Sequence, residues 1–418
     1  MATKRAIYDE VDTRRDEIVS LLSSLLEIRT ENPPGRNYRN GAIFLERVLS
    51  KRGYDVELID VPEDVVEHHY PERSHLERVN VLGEKAFGDG PNIHYTGHYD
   101  VVPAGEDWTR DPFDPTLEGD RIYARGASDM KSGIVASLVA IDVLEAVNAE
   151  LEGSVTQSMT VDEETGGFTG LGYLAQEGHL DDTDYCVYTE CFDSSRVCLG
   201  HRGVLKFKVV TRGRKAHGCM AHDGINAIST MNDFLTRIEK YRTRLHQRTT
   251  ELPVTPSESR RADISVTMMD AGYSENVVPD RCTATFYRML VPTESVADVR
   301  NEIRELIRKT EGNTDASLDY EEIMFAEPTS VSQDCQISQA FARNIESFYG
   351  SSEFVISPGS DDQRFVVNDA GIDQCIVYGP GRLEQAHVED EFVSVEDILT
   401  AIKVMAVSTA QLIGNLDE

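Results

Sequence analysis

The chain has 418 residues, 40% of them hydrophobic, which is enough for two domains with filled cores, and no run approaches the roughly 18–20 apolar residues that span a bilayer. Its 73 acidic residues against 41 basic ones leave a formal net charge of −32, dispersed along the chain rather than gathered in a tail. Such dispersal argues against disorder, nucleic acid and anionic membrane as explanations, and resembles the halophilic surface of proteins from salt-accumulating cytoplasm, where ionic strength screens self-repulsion.

From about Tyr8 to Ile28 apolar residues recur at helical spacing, and charges run throughout, with no apolar stretch before a small-residue cleavage site. The segment predicts a helix rather than a signal peptide, and with it a cytoplasmic protein. Glu31-Asn-Pro-Pro-Gly35 breaks the pattern. A second helix is expected over about Ala42–Arg52, then strands at Val56–Ile59, Val79–Leu82 and Asn92–Thr96, a sheet-packed helix at Ile134–Val147, and strands at Val155–Val161 and Tyr185–Thr189. Alternation of this kind predicts an α/β domain with a largely parallel sheet. Cys186, Cys191 and Cys198 follow in this region, but their spacing fits no zinc knuckle. Seven cysteines without a C-x-x-C pair read as reduced thiols.

The texture changes near Gly200. Strands at Val204–Thr211, Ala262–Met269, Cys282–Leu290 and Ala316–Phe325, with helices at Gly224–Tyr241 and Glu294–Lys309, give the order βαββαβ of a ferredoxin-like domain. A helix at Ile337–Tyr349, a Gly-rich stretch, a strand at Gln374–Tyr378 and a helix at Val395–Leu412 close the chain. The expected division is an α/β domain over 1–200 and 327–418, interrupted by an α+β domain over 201–326.

Five positions stand out because each lies at a strand end or in a Gly-rich turn, the edge where α/β sheets gather their ligands. His98 and Asp100 in Gly-His-Tyr-Asp place an imidazole two residues from a carboxylate able to orient it. Asp129, in a loop feeding a helix start, has the chemistry to bridge two cations; as a single residue it reads first as a turn or capping Asp. Glu163 and Glu164 are adjacent in a Gly-flanked loop, so one can bind a metal while the other moves a proton, though a solvated acidic turn competes. Glu190 closes a buried strand, and His387 follows Gly379-Pro-Gly381. Together they supply two histidines and enough carboxylates for two hydrolytic metals sharing a bridge.

In order along the chain, G-H-Y-D-V-V-P (97–103), R-G-A-S-D-M-K-S-G (125–133), D-E-E-T-G-G (162–167), an inserted domain and A-H-V-E-D-E (386–391) resemble the M20 family of zinc peptidases and amide hydrolases. The resemblance covers nearly the whole chain and implies a metal-binding catalytic domain plus a lid that also mediates dimerisation. It implies two divalent metals, with zinc, cobalt or manganese all suited to the donors. Asp129 would bridge them, His98 and Glu190 would complete one position, Glu164 and His387 the other. Asp100 would support His98, and Glu163 would serve as general base and then as acid to the leaving amine. His217 in Lys-Ala-His-Gly matches a lid histidine that stabilises the tetrahedral oxyanion, often across a dimer. Asn276, Arg288 and Arg364 match substrate-binding positions, with a structural salt bridge competing for each arginine. The remaining histidines match no ligand position.

Departures bear on specificity. Many deacylases of the family continue the fourth motif as Glu-Pro-Thr, whereas here it is Glu190-Cys191-Phe192, and Asp361 and Asp362 make the Arg364 segment unusually acidic. The expected activity is hydrolysis of N-acyl amino acids, in the manner of acetylornithine or succinyl-diaminopimelate deacylases. A carboxypeptidase or dipeptidase with the same site, a single-metal centre, and a non-catalytic binding protein are the rival readings.

Overall fold

A helix that is apolar on all faces must be covered on all faces, and Ser132–Ala146 is buried from Ser132 through Ile141. In the computed structural model, which describes residues 3–416, it packs beside Val395–Leu412, a second helix buried along nearly its whole length. Two units divide the chain. One holds the segments up to Gly200, Val331–Val355 and Asp362 onward; the other holds His201–Ser330 and Ile356–Asp361.

The first unit is built on a sheet whose strands run in the order Asp55–Asp60, Val79–Ala86, Ser154–Thr160, Asn92–His98, Tyr185–Tyr188, Cys375–Val377, Arg196–His201. The four strands from Ser154–Thr160 to Cys375–Val377 are mutually parallel, and the flanking pairs are antiparallel. Register matters more than order here. His98 pairs with Thr160, Thr96 with Tyr188, and Tyr188 with Val377, so all four parallel strands stop at one edge. Every turn leaving that edge carries one of the acidic or histidine positions expected from sequence.

Local chemistry shapes these turns. Gly133 lies so close to the end of the Tyr185–Tyr188 strand that an added Cβ would sit 1.8 Å from the Thr189 carbonyl oxygen. Only a residue without a side chain lets the helix approach the strand that leads to Glu190. Gly167 has φ +66°, and a Cβ there would lie 2.0 Å from an Asp362 carboxylate oxygen, so both its conformation and its space demand glycine.

The long N-terminal helix is two helices, Lys4–Thr13 and Arg15–Leu26, hinged at Arg14, whose φ of −97° and ψ of 8° leave the helical region. The helix Glu63–His69, the strand Arg196–His201, and a small sheet of Thr116–Glu118, Arg121–Tyr123 and Phe392–Ser394 were not apparent from periodicity, each being short. In the second unit a four-stranded antiparallel sheet runs Asp263–Ala271, Arg281–Leu290, Gly203–Arg212, Ser317–Ala326, the ferredoxin-like order. Helices Ala227–Leu245 and Val296–Glu311 enclose its core, where Phe207 stacks on Phe286 at 4.9 Å and Phe234 meets Phe286 edge-on. Among the described residues no helix is long and apolar enough to cross a membrane.

Gly133→Ala should cost about 1–3 kcal/mol through overpacking, measured by urea denaturation with the slope unchanged. A variant as stable as the parent would show that helix and strand do not meet this closely.

Candidate metal centre

The edge where the parallel strands end brings five side chains within a few ångströms. Asp129 lies at the centre. Its Oδ1 is 3.2 Å from His98 Nε2, and its Oδ2 is 3.2 Å from His387 Nε2. Each imidazole has a second carboxylate partner: Glu190 Oε2 lies 3.2 Å from His98 Nε2, and Glu164 Oε2 lies 2.9 Å from His387 Nε2. The arrangement is two-sided about one carboxylate. Glu163 approaches the His98 side, with Oε2 3.9 Å from Nε2.

The two glutamates are held alike. Glu164 Oε1 accepts from the Val102 amide at 3.1 Å, and Glu190 Oε1 from the Cys191 amide at 2.7 Å, which leaves each second oxygen for an imidazole. His98 is fully buried, and its Nδ1 lies 3.0 Å from the Asp100 carbonyl oxygen. A carbonyl only accepts, so Nδ1 carries a proton, which leaves Nε2 as the nitrogen able to ligate a cation. The Asp100 carboxylate lies farther from that ring, at 3.5 Å, and accepts from Asn32 Nδ2 and from the amides of Glu163 and Glu164. It therefore orients the glutamate turn as well as the histidine.

That turn has further anchors. Asp162, in the left-handed region at φ 63°, accepts from Arg78 Nε at 2.6 Å, Tyr38 Oη at 2.9 Å and Thr169 Oγ1 at 2.6 Å, and the Arg78–Asp162 pair is wholly buried. His387 also has positive φ, at 62°, and its side chain is about half exposed at 53%. Non-glycine residues held in this region mark places where surrounding contacts override local preference.

Both matched arginines are buried and have partners within the protein. Arg288 is fully buried in the second unit, paired with Glu294 Oε1 at 2.5 Å, and also donates to the Met289 carbonyl. These contacts are what the salt-bridge reading of Arg288 expects. Arg364 is also buried; it donates to the Gly166 carbonyl at 2.6 Å, with its guanidinium over the Phe365 ring. Its visible work is to brace the turn bearing Glu163 and Glu164. His217 and Asn276 lie together in the second unit, where His217 pairs with Val277 and the Gly218 amide donates to the Asn276 carbonyl at 2.7 Å.

Sequence reasoning passed over Asn32, Asp162 and Arg78, since nothing in a linear pattern marks a distant buried partner. It also set aside Cys191, whose sulfur lies within 4.8 Å of carboxylate oxygens of Asp129 and Glu190, just as His98, Asp129 and Glu164 offer atoms within 4.8 Å of one another. Imidazole nitrogens with several carboxylates in a buried cluster are the donors that zinc, cobalt and manganese accept, so the residues fit such cations.

Residues 94–410 match the model of peptidase family M20/M25/M40. A probable succinyl-diaminopimelate desuccinylase of Staphylococcus epidermidis is 27% identical over 409 residues, covering 92% of this chain and 95% of that protein. Among solved structures, human carnosine dipeptidase 1 superposes with a TM-score of 0.77 at 16% identity, covering 99% of both chains. An M20 family metallo-carboxypeptidase, Sso-CP2 of Sulfolobus solfataricus, does so with a TM-score of 0.76 at 21% identity, covering 95% of this chain and 99% of the other.

Electrostatics follow from crowding acids in a buried place. Burial, above all, pushes the Glu163 carboxyl well above its usual range; His98 opposes this, while Asp362, Glu164 and Glu190 add to it. Burial and the Asp129 charge likewise raise Glu164 to about 7. Asp129 goes the other way, since hydrogen bonds from His387 and His98 outweigh its burial and hold it well below the carboxylate range. Those same bonds to Asp129 and Glu164 lift His387 to about 11. For His98 burial pulls downward, but bonds to Asp100, Asp129 and Glu190 overcome it and hold the ring well above its normal value. The surrounding carboxylates thus favour the protonated form of both imidazoles.

A ligating imidazole must be neutral. Loading the metal-free protein at pH 7 should therefore release protons, from both rings and from the raised Glu164 carboxyl, read by calorimetry in buffers of different ionisation enthalpy. Affinity should weaken as pH falls, because protons then compete for both rings. Binding without proton release would mean that these histidines are not the ligands.

Proposed function

The chain belongs to peptidase family M20/M25/M40 and is a metal-binding hydrolase of amide bonds, and from that premise we propose that it cleaves N-acyl amino acids at a centre of two divalent cations. The observation that supports two positions is the two-sided use of Asp129, one oxygen towards His98 and Glu190, the other towards His387 and Glu164. Zinc is the cation proposed, with cobalt or manganese compatible with the same donors. Such cations, when bound, supply Lewis acidity that polarises the scissile carbonyl and makes water more acidic.

The protein's own groups do the rest. Glu163 stands beside the His98 side of the cluster without belonging to either carboxylate–imidazole pair, which suits a general base. It would take a proton from the attacking water and return it to the departing amine nitrogen, so that it ends the cycle as it began. Asp100 holds Glu163 and Glu164 in place through their amides. In the second unit, His217 Nδ1 accepts the Cys219 amide at 3.2 Å, which leaves Nε2–H as a donor. That tautomer suits an oxyanion, the role proposed for His217, with Asn276 beside it as a substrate contact. The desuccinylase relative supports an N-acyl amino acid over other amides. Cysteines without disulfides and a dispersed acidic surface support a cytoplasmic, high-salt setting.

We further propose a homodimer formed through the second unit. Asp263–Ala271 is an outer strand of its sheet, and exposes Val266, Met268 and Met269, with Tyr273 exposed just beyond it. An open apolar edge of this kind is a pairing surface that a monomer would have to shield.

A hydrolysis screen over N-acetyl, N-succinyl and N-carbamoyl amino acids and dipeptides, at high salt with metals added, tests the reading. N-acyl amino acids should be the best substrates, and dipeptides the best would overturn that choice. Glu163→Gln should lose on the order of 10²–10⁴-fold in turnover with metal content near that of the parent; full activity would remove Glu163 from the role of base. Separately, Met268→Lys with Met269→Lys should shift the protein from dimer to monomer in sedimentation. An unchanged dimer would place the interface elsewhere.

A further inference from the structure

Glu391 lies four residues beyond His387, fully buried, and no role was expected for it. Its Oε1 accepts from the amides of Ser128 at 2.8 Å and Asp129 at 3.0 Å. Its Oε2 accepts from the Gly126 amide at 3.1 Å and from the Arg125 guanidinium at 2.6 Å. Even its main-chain oxygen is used, by the Ala124 amide at 3.1 Å. One side chain thus satisfies three amides of one loop and a cation, all in the segment that delivers Asp129.

The two segments are tied at other points as well. The Phe392–Ser394 strand, directly after Glu391, pairs with Arg121–Tyr123, which ends two residues before Arg125. Upstream of His387, the Arg382 amide donates to Ser128 Oγ at 2.9 Å. The bland reading is a buried ion pair that holds two loops together and affects stability alone. What distinguishes Glu391 is the bond to the Asp129 amide. The direction of the Asp129 carboxylate follows from where its own backbone is pinned, and both sides of the centre share that carboxylate.

Resting on the two-cation reading above, we propose that Glu391 is a positioning residue, which aims the Asp129 carboxylate and couples it to the segment carrying His387. Its chemistry demands an anion with two acceptor oxygens. Glutamine at 391 would offer one acceptor and turn an NH2 group towards either amide donors or Arg125, where no acceptor awaits it. Aspartate keeps the charge and both acceptors on a stem one carbon shorter.

The test compares the parent with Glu391→Gln, Glu391→Asp and the exposed control Glu389→Gln, each titrated with cobalt(II) and followed by its visible absorption, metal content and steady-state kinetics. Glu391→Gln should bind cobalt about 10–100-fold more weakly, with an altered absorption band. At saturating metal its kcat should fall by about 100-fold, with KM within about threefold of the parent. Glu391→Asp should recover part of both losses, and Glu389→Gln should match the parent. A Glu391→Gln protein with parental spectrum, affinity and kcat overturns the proposal, even if it melts earlier, since that is what a purely structural clamp would do. Should Glu391→Gln fail to fold, Glu391→Asp decides: a parental spectrum and kcat overturn the proposal, and a shifted band with lowered kcat supports it. A parent that takes up no cobalt overturns the two-cation reading and this one together, whereas a parent that does, beside a variant that matches it, sinks only the role of Glu391.

Discussion

Too much negative charge in too little water is the constraint on which the rest of this structure turns. Asp129, Glu163, Glu164 and Glu190 meet at one sheet edge with two imidazoles among them. Desolvated carboxylates repel one another strongly, and that repulsion raises the proton affinity of His98, His387 and Glu163 alike. The site is consequently a place where cations and protons compete for the same atoms. Its affinity for one is set by how well it tolerates the other.

Holding such a cluster together requires partners of its own, and these come from far along the chain. Arg78 neutralises Asp162 at the start of the glutamate turn, Arg364 grips the turn at Gly166, and Arg125 meets Glu391 behind Asp129. In each case a buried arginine is bound to a turn or loop rather than to a ligand. Breaking one such pair leaves a charge without a partner, which costs far more than the pair contributes when intact. Specificity for geometry, rather than bulk stability, is what these pairs supply.

Much of this was legible beforehand. The βαββαβ order, the helices Ile337–Tyr349 and Val395–Leu412, and the turns bearing His98, Asp129, Glu163, Glu164, Glu190 and His387 all announce themselves by period or by local composition. Those are local signals, and the strand ends coincide because parallel pairing enforces a common edge. What escaped was non-local. Asn32 beneath Asp100, and Arg78 against Asp162, lie 68 and 84 residues from their partners. The partner and burial of Arg288 were hidden for the same reason, since both depend on how strands and helices pack. The break at Arg14 was hidden because the apolar spacing continues across it.

The order of synthesis meets the architecture in an unexpected way. Four of the five clustered side chains lie before residue 200, yet the parallel strand Cys375–Val377 and the turn with His387 come only near the end of the chain. A nascent polypeptide emerging from the ribosome can complete the whole ferredoxin-like unit while the central sheet still lacks an inner strand. During that interval Tyr185–Tyr188 has one neighbour instead of two, and Asp129 has only its first imidazole. The second side of the centre is therefore made only after the ferredoxin-like unit, and a chain that stops before His387 has Asp129, Glu163, Glu164 and Glu190 and no second imidazole.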